Sequence, residues 1–131
     1  MIYVLADRNV EGHAIRLLDT FIAEGWQELC PIELFMFADI KLSVNSSDRE
    51  VWLFAQSNHM ILLTDNRNMK GEDSLALVLR EENTMTSLPV LTIGSLQRLS
   101  EIEYRQRCAS RLAEIIIDLD NYLGTGRLFI P

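Results

Sequence analysis

Nothing in this 131-residue sequence approaches the roughly 20 consecutive apolar positions needed for a membrane-crossing helix, so neither a bilayer span nor a membrane partner is expected. The opening stretch MIYVLADRN lacks the basic, apolar and small-residue succession of a secretory leader, and a cytoplasmic location is the expectation. Cysteine is scarce. Cys30 and Cys108 lie far apart, match no metal-binding spacing and sit among apolar residues, which favours reduced packing thiols over a zinc site or a disulfide. Basic residues are outnumbered, 12 Lys and Arg against 19 Asp and Glu. The resulting net charge of −7 argues against a surface that is basic throughout, as non-specific nucleic-acid binders have. It does not argue against a nuclease, because acidic metal ligands are themselves negative. No repeat, low-complexity stretch or Pro/Gly linker divides the chain, so residues 1–131 are expected to form a single domain.

What is present is a 48% hydrophobic content, ample for one buried core, arranged as short apolar runs that alternate with amphipathic stretches. Ile2 to Ala6 is nearly all apolar with β-branched members, as expected of a strand covered on both faces, and Asp7 ends it. Met60 to Thr64 repeats the pattern and ends on Asp65. A third buried strand is expected over 88–93. Between them, Ala14, Leu17, Leu18, Phe21 and Ile22 recur at threes and fours and predict a helix over 10–24, closed by Gly25. Ser46 and Ser47 followed by Asp48 and Glu50 predict a helix start, with Val51, Trp52, Phe54 and Ala55 inward. A further helix is expected over 74–82. The longest is expected over 101–123, capped by Ser100, with Ile102, Leu112, Ile115, Ile116, Leu119 and Tyr122 on its core side. Periodicity does not settle 26–44; a strand is expected near 27–30, and the tail 124–131 is expected to be extended.

Strands alternating with helices imply crossover units. The expected fold class is therefore α/β, a short central parallel sheet flanked by helices on both faces. Ligands of such sheets bind outside the carboxyl ends of the strands, where Asp7 and Asp65 stand.

Carboxylates gathered at strand ends repel one another unless a cation is present or they hold protons. Oxygen-only ligands without a His or Cys pattern suit Mg²⁺ or Mn²⁺ better than zinc. The candidates are Asp7, Asp48, Asp65 and the loop acid Asp73, and each has a plainer explanation. Asp48 and Asp73 fit helix N-caps, and Asp7 and Asp65 fit turns. Arg8, Arg67, Lys70 and Arg80 are the basic residues closest in sequence to the acids and could meet phosphate oxygens, although ordinary surface charge is the plainer explanation of each; Arg67 is the one to keep, because it lies in the run that ends on Asn68. His13 and His59 lack partners at metal spacing. Trp26 and Trp52 sit among apolar residues and read as core rather than base-stacking platforms.

The succession ADRN at 6–9, SDREVWLFA at 47–55 and ILLTDNRN at 61–68 resembles the small bacterial PIN-like proteins, which carry D-E-N after the first strand, S-D-x-E opening a helix, and T-x-D-x-D-F at a strand end. The match runs through the first half of the chain. It implies a PIN-like fold with an acidic pocket holding Mg²⁺ or Mn²⁺, and usually endoribonuclease cleavage of single-stranded RNA, often by a toxin paired with a cognate antitoxin. Asp7 corresponds to the first-strand acid and Asp48 to the helix-opening acid. In the third motif the family's two acids become Asn66 and Asn68, and Asp65 falls on the variable position. The resemblance thus implies a catalytic metal site of Asp7, Asp48 and at least one of Asp65 and Asp73, with Asn66, Arg67 and Asn68 holding the loop or the substrate. The alternative is a catalytically weakened PIN-like domain that binds nucleic acid or protein. A phosphoacceptor receiver domain would need paired acids after the first strand and a Lys ending a later one, and has neither. The apolar excess of ELFMFADIKL, with Leu128, Phe129 and Ile130 in the tail, suits either core packing or a contact such as a homodimer.

Overall fold

The computed structural model describes residues 1–67 and 74–131. Five strands form one sheet: β1 (Ile2–Ala6), β2 (Ile32–Phe35), β3 (Met60–Thr64), β4 (Val90–Ile93) and β5 (Arg127–Ile130). Their spatial order is β2-β1-β3-β4-β5, and every neighbouring pair is parallel. Helices α1 (Glu11–Ala23), α2 (Trp26–Leu29), α3 (Asp48–Ser57), α4 (Leu75–Glu82) and α5 (Ile102–Ile117) make the crossovers. The fold is thus α/β with a short parallel sheet between two helical layers, as the alternation of patterns predicts. No helix of the described residues is long and apolar enough to cross a membrane.

The period-two alternation of strand side chains builds two cores. Val4, Ala6, Ile61, Leu63, Leu91 and Ile93 face α1 and α5, meeting Leu17, Phe21, Leu112 and Ile115. Leu5, Leu62 and Val90 face α3 and α4, meeting Val51, Trp52, Leu75 and Val78. Truncating a fully buried side chain such as Phe21 to alanine leaves a cavity and costs about 3–5 kcal/mol. Cys30 and Cys108 are buried and unpaired, as expected of packing thiols.

Four expectations are corrected. Residues 26–29 form one helical turn rather than a strand, and β2 begins only at Ile32. The reason is Pro31, which lacks an N–H and bars a helical Cys30, so the turn ends there and the chain enters the sheet. Gln27 secures the junction through its side chain, donating to the Ile32 carbonyl at 2.8 Å and accepting from the Ile32 N–H at 3.2 Å. Ser100 does not cap α5; its hydroxyl donates to the Gln97 carbonyl within a 3-10 turn, and the helix starts without a side-chain cap. The long helix ends at Ile117, with a separate 3-10 turn over Leu119–Tyr122, and Ile102 is exposed rather than inward. The tail is extended because it is the fifth strand of the sheet, a role that only a partner distant in sequence supplies.

Candidate functional site

Strand order 2-1-3-4-5 sends the chain one way from β1 to β2 and the other way to β3. The crevice between the carboxyl ends of β1 and β3 is therefore the switch point at which open parallel sheets hold ligands. Asp7 follows β1, and Asp65 follows β3. The two junctions are tied directly, because the Asp7 N–H donates to the Leu63 carbonyl at 2.8 Å.

The Asp7 carboxylate is held at both oxygens. Oδ1 accepts from the Arg8 N–H at 2.8 Å, which is the turn-forming role, and Oδ2 accepts from the Thr64 hydroxyl at 2.7 Å. Burial pushes its pKa above the ordinary 3.8; the bonds from Thr64 and Arg8 oppose that rise, and the nearby charges of Asp48 and Asp65 add to it. Three of the four predicted acids are therefore close enough to interact electrostatically.

Asp48 arrives on α3. Ser47 is the cap of that helix, its hydroxyl accepting from the Glu50 N–H while the Glu50 side chain accepts from the Ser47 N–H, both at 3.1 Å. Asp48 is thereby released from capping its own helix and faces the crevice. Its Oδ2 accepts from the Asn66 side-chain amide at 2.9 Å and from the Leu75 N–H, the first residue of α4, at 3.0 Å. The carboxylate lies at the positive ends of two helices, which stabilises its charge.

Asn66 joins these parts. Its N–H donates to the Thr64 hydroxyl at 3.0 Å, its side chain reaches Asp48, and its carbonyl accepts from Arg127 at 2.7 Å. Arg67 donates to the Gly94 carbonyl. Asp65 is half-buried. Asp73 and Asn68, together with Lys70, lie outside the described residues. Arg8 is exposed, donating to the Val44 carbonyl at 3.4 Å, and Arg80 is exposed on α4. His59 occupies a left-handed turn position between α3 and β3, with φ of 54°, and Trp52 is buried in the core.

The residue that sequence reading missed is Arg127. It lies 61 positions beyond Asn66, further still from Asp7 and Asp48, and belongs to no motif. Its guanidinium Nη1 donates both to the Asn66 carbonyl and to the Thr92 hydroxyl, each at 2.7 Å. Burial, then the neighbouring Arg67, lowers its pKa, and Asp48 opposes the shift. The only sequence hint is a lone Arg opening an otherwise apolar tail.

The donor chemistry of the acids suits a hard divalent cation: all oxygen, partly buried, with the Asp7 carboxyl raised first by burial and then by its acidic neighbours. Asp7 and Asp48 retain lone pairs beyond those used in the bonds above. Among the described residues, however, no group of three or more His, Cys, Asp or Glu side chains lies close enough together to hold a metal ion.

Fold and site together define an α/β protein of the open parallel-sheet class, with an acidic crevice at its switch point and two arginines beside it. Compared with protein-family models, with curated proteins and with solved structures, the chain matches none.

Proposed function

We infer that the protein is a metal-dependent endoribonuclease of the PIN-like type, acting on single-stranded RNA in the cytoplasm. The observation that carries this reading is the convergence of Asp7, Asp48 and Asp65 from β1, α3 and β3 on one crevice, where burial and mutual repulsion raise the Asp7 carboxyl. Such an arrangement is costly for a protein that binds no cation. Asp7 and Asp48 would hold Mg²⁺ or Mn²⁺; Asp65 is not gathered closely enough with them to make a set of three, so a third carboxylate would be Asp73 or an Asp65 drawn in by the ion. Bound there, the ion would supply an activated water and charge neutralisation at phosphorus. Thr64 and the Arg8 N–H orient the Asp7 carboxylate, and Leu75 and Asn66 orient that of Asp48. Arg67 and Arg127 supply positive charge for phosphate oxygens next to the acids. The resemblance to toxin-type proteins also supports a cognate antitoxin as protein partner.

A second reading has its own observation. The Asn66 amide bonded to Asp48 already provides part of the compensation that a cation would give. A PIN-like domain that binds RNA or protein without cleaving would be built in this way.

The test is incubation of the purified protein with single-stranded RNA and Mn²⁺, alongside Asp7→Asn and Asp48→Asn. Metal-dependent cleavage lost in both variants is the expected result. Cleavage that persists unchanged in both removes this site from the reaction, and RNA binding with no metal-dependent cleavage favours the second reading.

A further inference from the structure

Helices α3 and α4 cover one face of the sheet only as far as Val90 of β4. On the next strand, Arg127 and Phe129 point to the same side by the period of two, and among the described residues they are only partly covered, with Ala76 of α4 at their edge. Phe129 is 46% exposed. With Arg67 and Ala76 these residues line a pocket of about 230 Å³.

Two features of this pocket are unusual for a protein of net charge −7. First, its two guanidinium groups are neighbours, yet neither is paired with a carboxylate among the described residues; the ion pairs found there involve Arg49, Arg98 and Arg111. Arg67 bonds a carbonyl, and among the described residues Arg127 bonds Asn66 and Thr92 through Nη1. Two like charges held side by side gain from an anion between them. Second, an exposed aromatic ring on a strand stands beside those cations. Phosphate-binding arginine next to an open aromatic face is the combination that recognises single-stranded nucleic acid, because every base offers a face to stack on. The pocket is joined to the acids through one residue, Asn66, bonded to Asp48 on one side and Arg127 on the other.

We propose that Arg67, Arg127 and Phe129 form a nucleotide subsite, in which the guanidinium groups hold a backbone phosphate and the Phe129 ring stacks on the adjacent base of a strand running over Asp7 and Asp48. This rests on RNA as the ligand of the crevice, and it adds where the strand leaves the acids, along the open face of β5. Base and phosphate are common to RNA and DNA, so the subsite by itself grips either.

The test is fluorescence-anisotropy titration of a labelled oligouridylate against the full chain in EDTA, so that affinity is read without cleavage, with a deoxy strand of the same sequence as a second arm. Arg127 also ties Asn66 and Thr92 together, so the variants are chosen elsewhere. Phe129→Ala weakens binding about tenfold, Phe129→Trp retains it and shows indole quenching by the strand, and an abasic strand binds Phe129→Ala and wild type alike. Arg67→Gln weakens binding and lowers the slope of log K against log salt by about 0.7. These results in either arm establish the subsite, whether or not Mn²⁺ then drives cleavage. Wild-type affinity in either Phe129→Ala or Arg67→Gln overturns it, as does an absence of binding to both strands. A wild type that cleaves while Phe129→Ala keeps its affinity leaves the ribonuclease reading standing and this subsite refuted.

Discussion

The side-chain amide of Asn66 donates to Oδ2 of Asp48 at 2.9 Å, so a neutral donor meets the helix-opening acid where the PIN-like pattern has a second carboxylate. Replacing the amide with an acid reverses the sign of that contact. Asn66→Asp loses a hydrogen bond and sets like charges together, lowering stability by about 1–2 kcal/mol in the absence of divalent ions. Mn²⁺ should then raise the variant's Tm more than it raises that of the wild type. Thermal melts with and without Mn²⁺ measure both, and equal shifts would speak against a cation at Asp48.

Asp7 gives a pH prediction. Burial holds its folded pKa above 3.8, so the folded protein keeps a proton over a range in which the unfolded chain has lost it. Stability therefore falls as pH rises from about 3.8 through the folded value, and above it the buried charge is a standing cost. Asp7→Asn removes that cost and keeps an acceptor for the Arg8 N–H, while its amide nitrogen can only donate, so the Thr64 hydroxyl must turn to accept from it. Its Tm is expected to exceed that of the wild type at pH 7 by a few degrees, with the gap closing as pH falls toward 4. A variant less stable than wild type at pH 7 would show that the two hydrogen bonds outweigh the buried charge.

Thr64 is buried, and its hydroxyl both donates to Asp7 and accepts from the Asn66 N–H. Thr64→Val conserves shape but leaves both groups short of a partner, at a cost of about 1–2 kcal/mol. The lost bond favoured the ionised carboxylate, so the Asp7 pKa rises further. For an active ribonuclease, the acid limb of the kcat/KM profile moves to higher pH, while the alkaline limb stays in place.

The thiols offer a check on packing. Cys108 is buried, directs its Sγ at the Ile130 carbonyl at 3.4 Å, and has its pKa pushed up to about 12 by burial. Burial also raises that of Cys30. At pH 8 neither should react with a disulfide reagent while the protein is folded, and both should react in guanidinium. Rapid labelling of Cys108 in the native protein would mean that β5 separates from α5.

Much of the fold was legible because its determinants are local. The apolar runs of β1 and β3, the three- and four-residue spacing of α1, and the Ser47–Glu50 capping box are contacts between residues a few positions apart. The failures lie where a local pattern was ambiguous. Alternation around Cys30 suits a strand until the ban that Pro31 places on the helix is weighed against the turn before it. Ser100 has the chemistry of a cap, yet its hydroxyl bonds backward to Gln97.

The candidate site divides in the same way. Asp7 and Asp48 were identifiable because each sits at an element boundary inside a recognisable run. The choice between Asp65 and Asn66 was not, since strand side chains alternate and a shift of one residue exchanges their faces. The structure gives each a different role: Asp65 adds to the repulsion on Asp7, while Asn66 bonds Asp48.

Sequence alone determined the alternation of strands and helices and the acids at their junctions, because hydrophobic period, capping and turn chemistry act over a few residues. Tertiary structure alone decided that β3 lies beside β1, making the crevice a switch point, and that Arg127, 61 positions beyond Asn66, closes its far side. Sheet order and long-range hydrogen bonds depend on which surfaces the whole chain can bury together, and no local window contains that information.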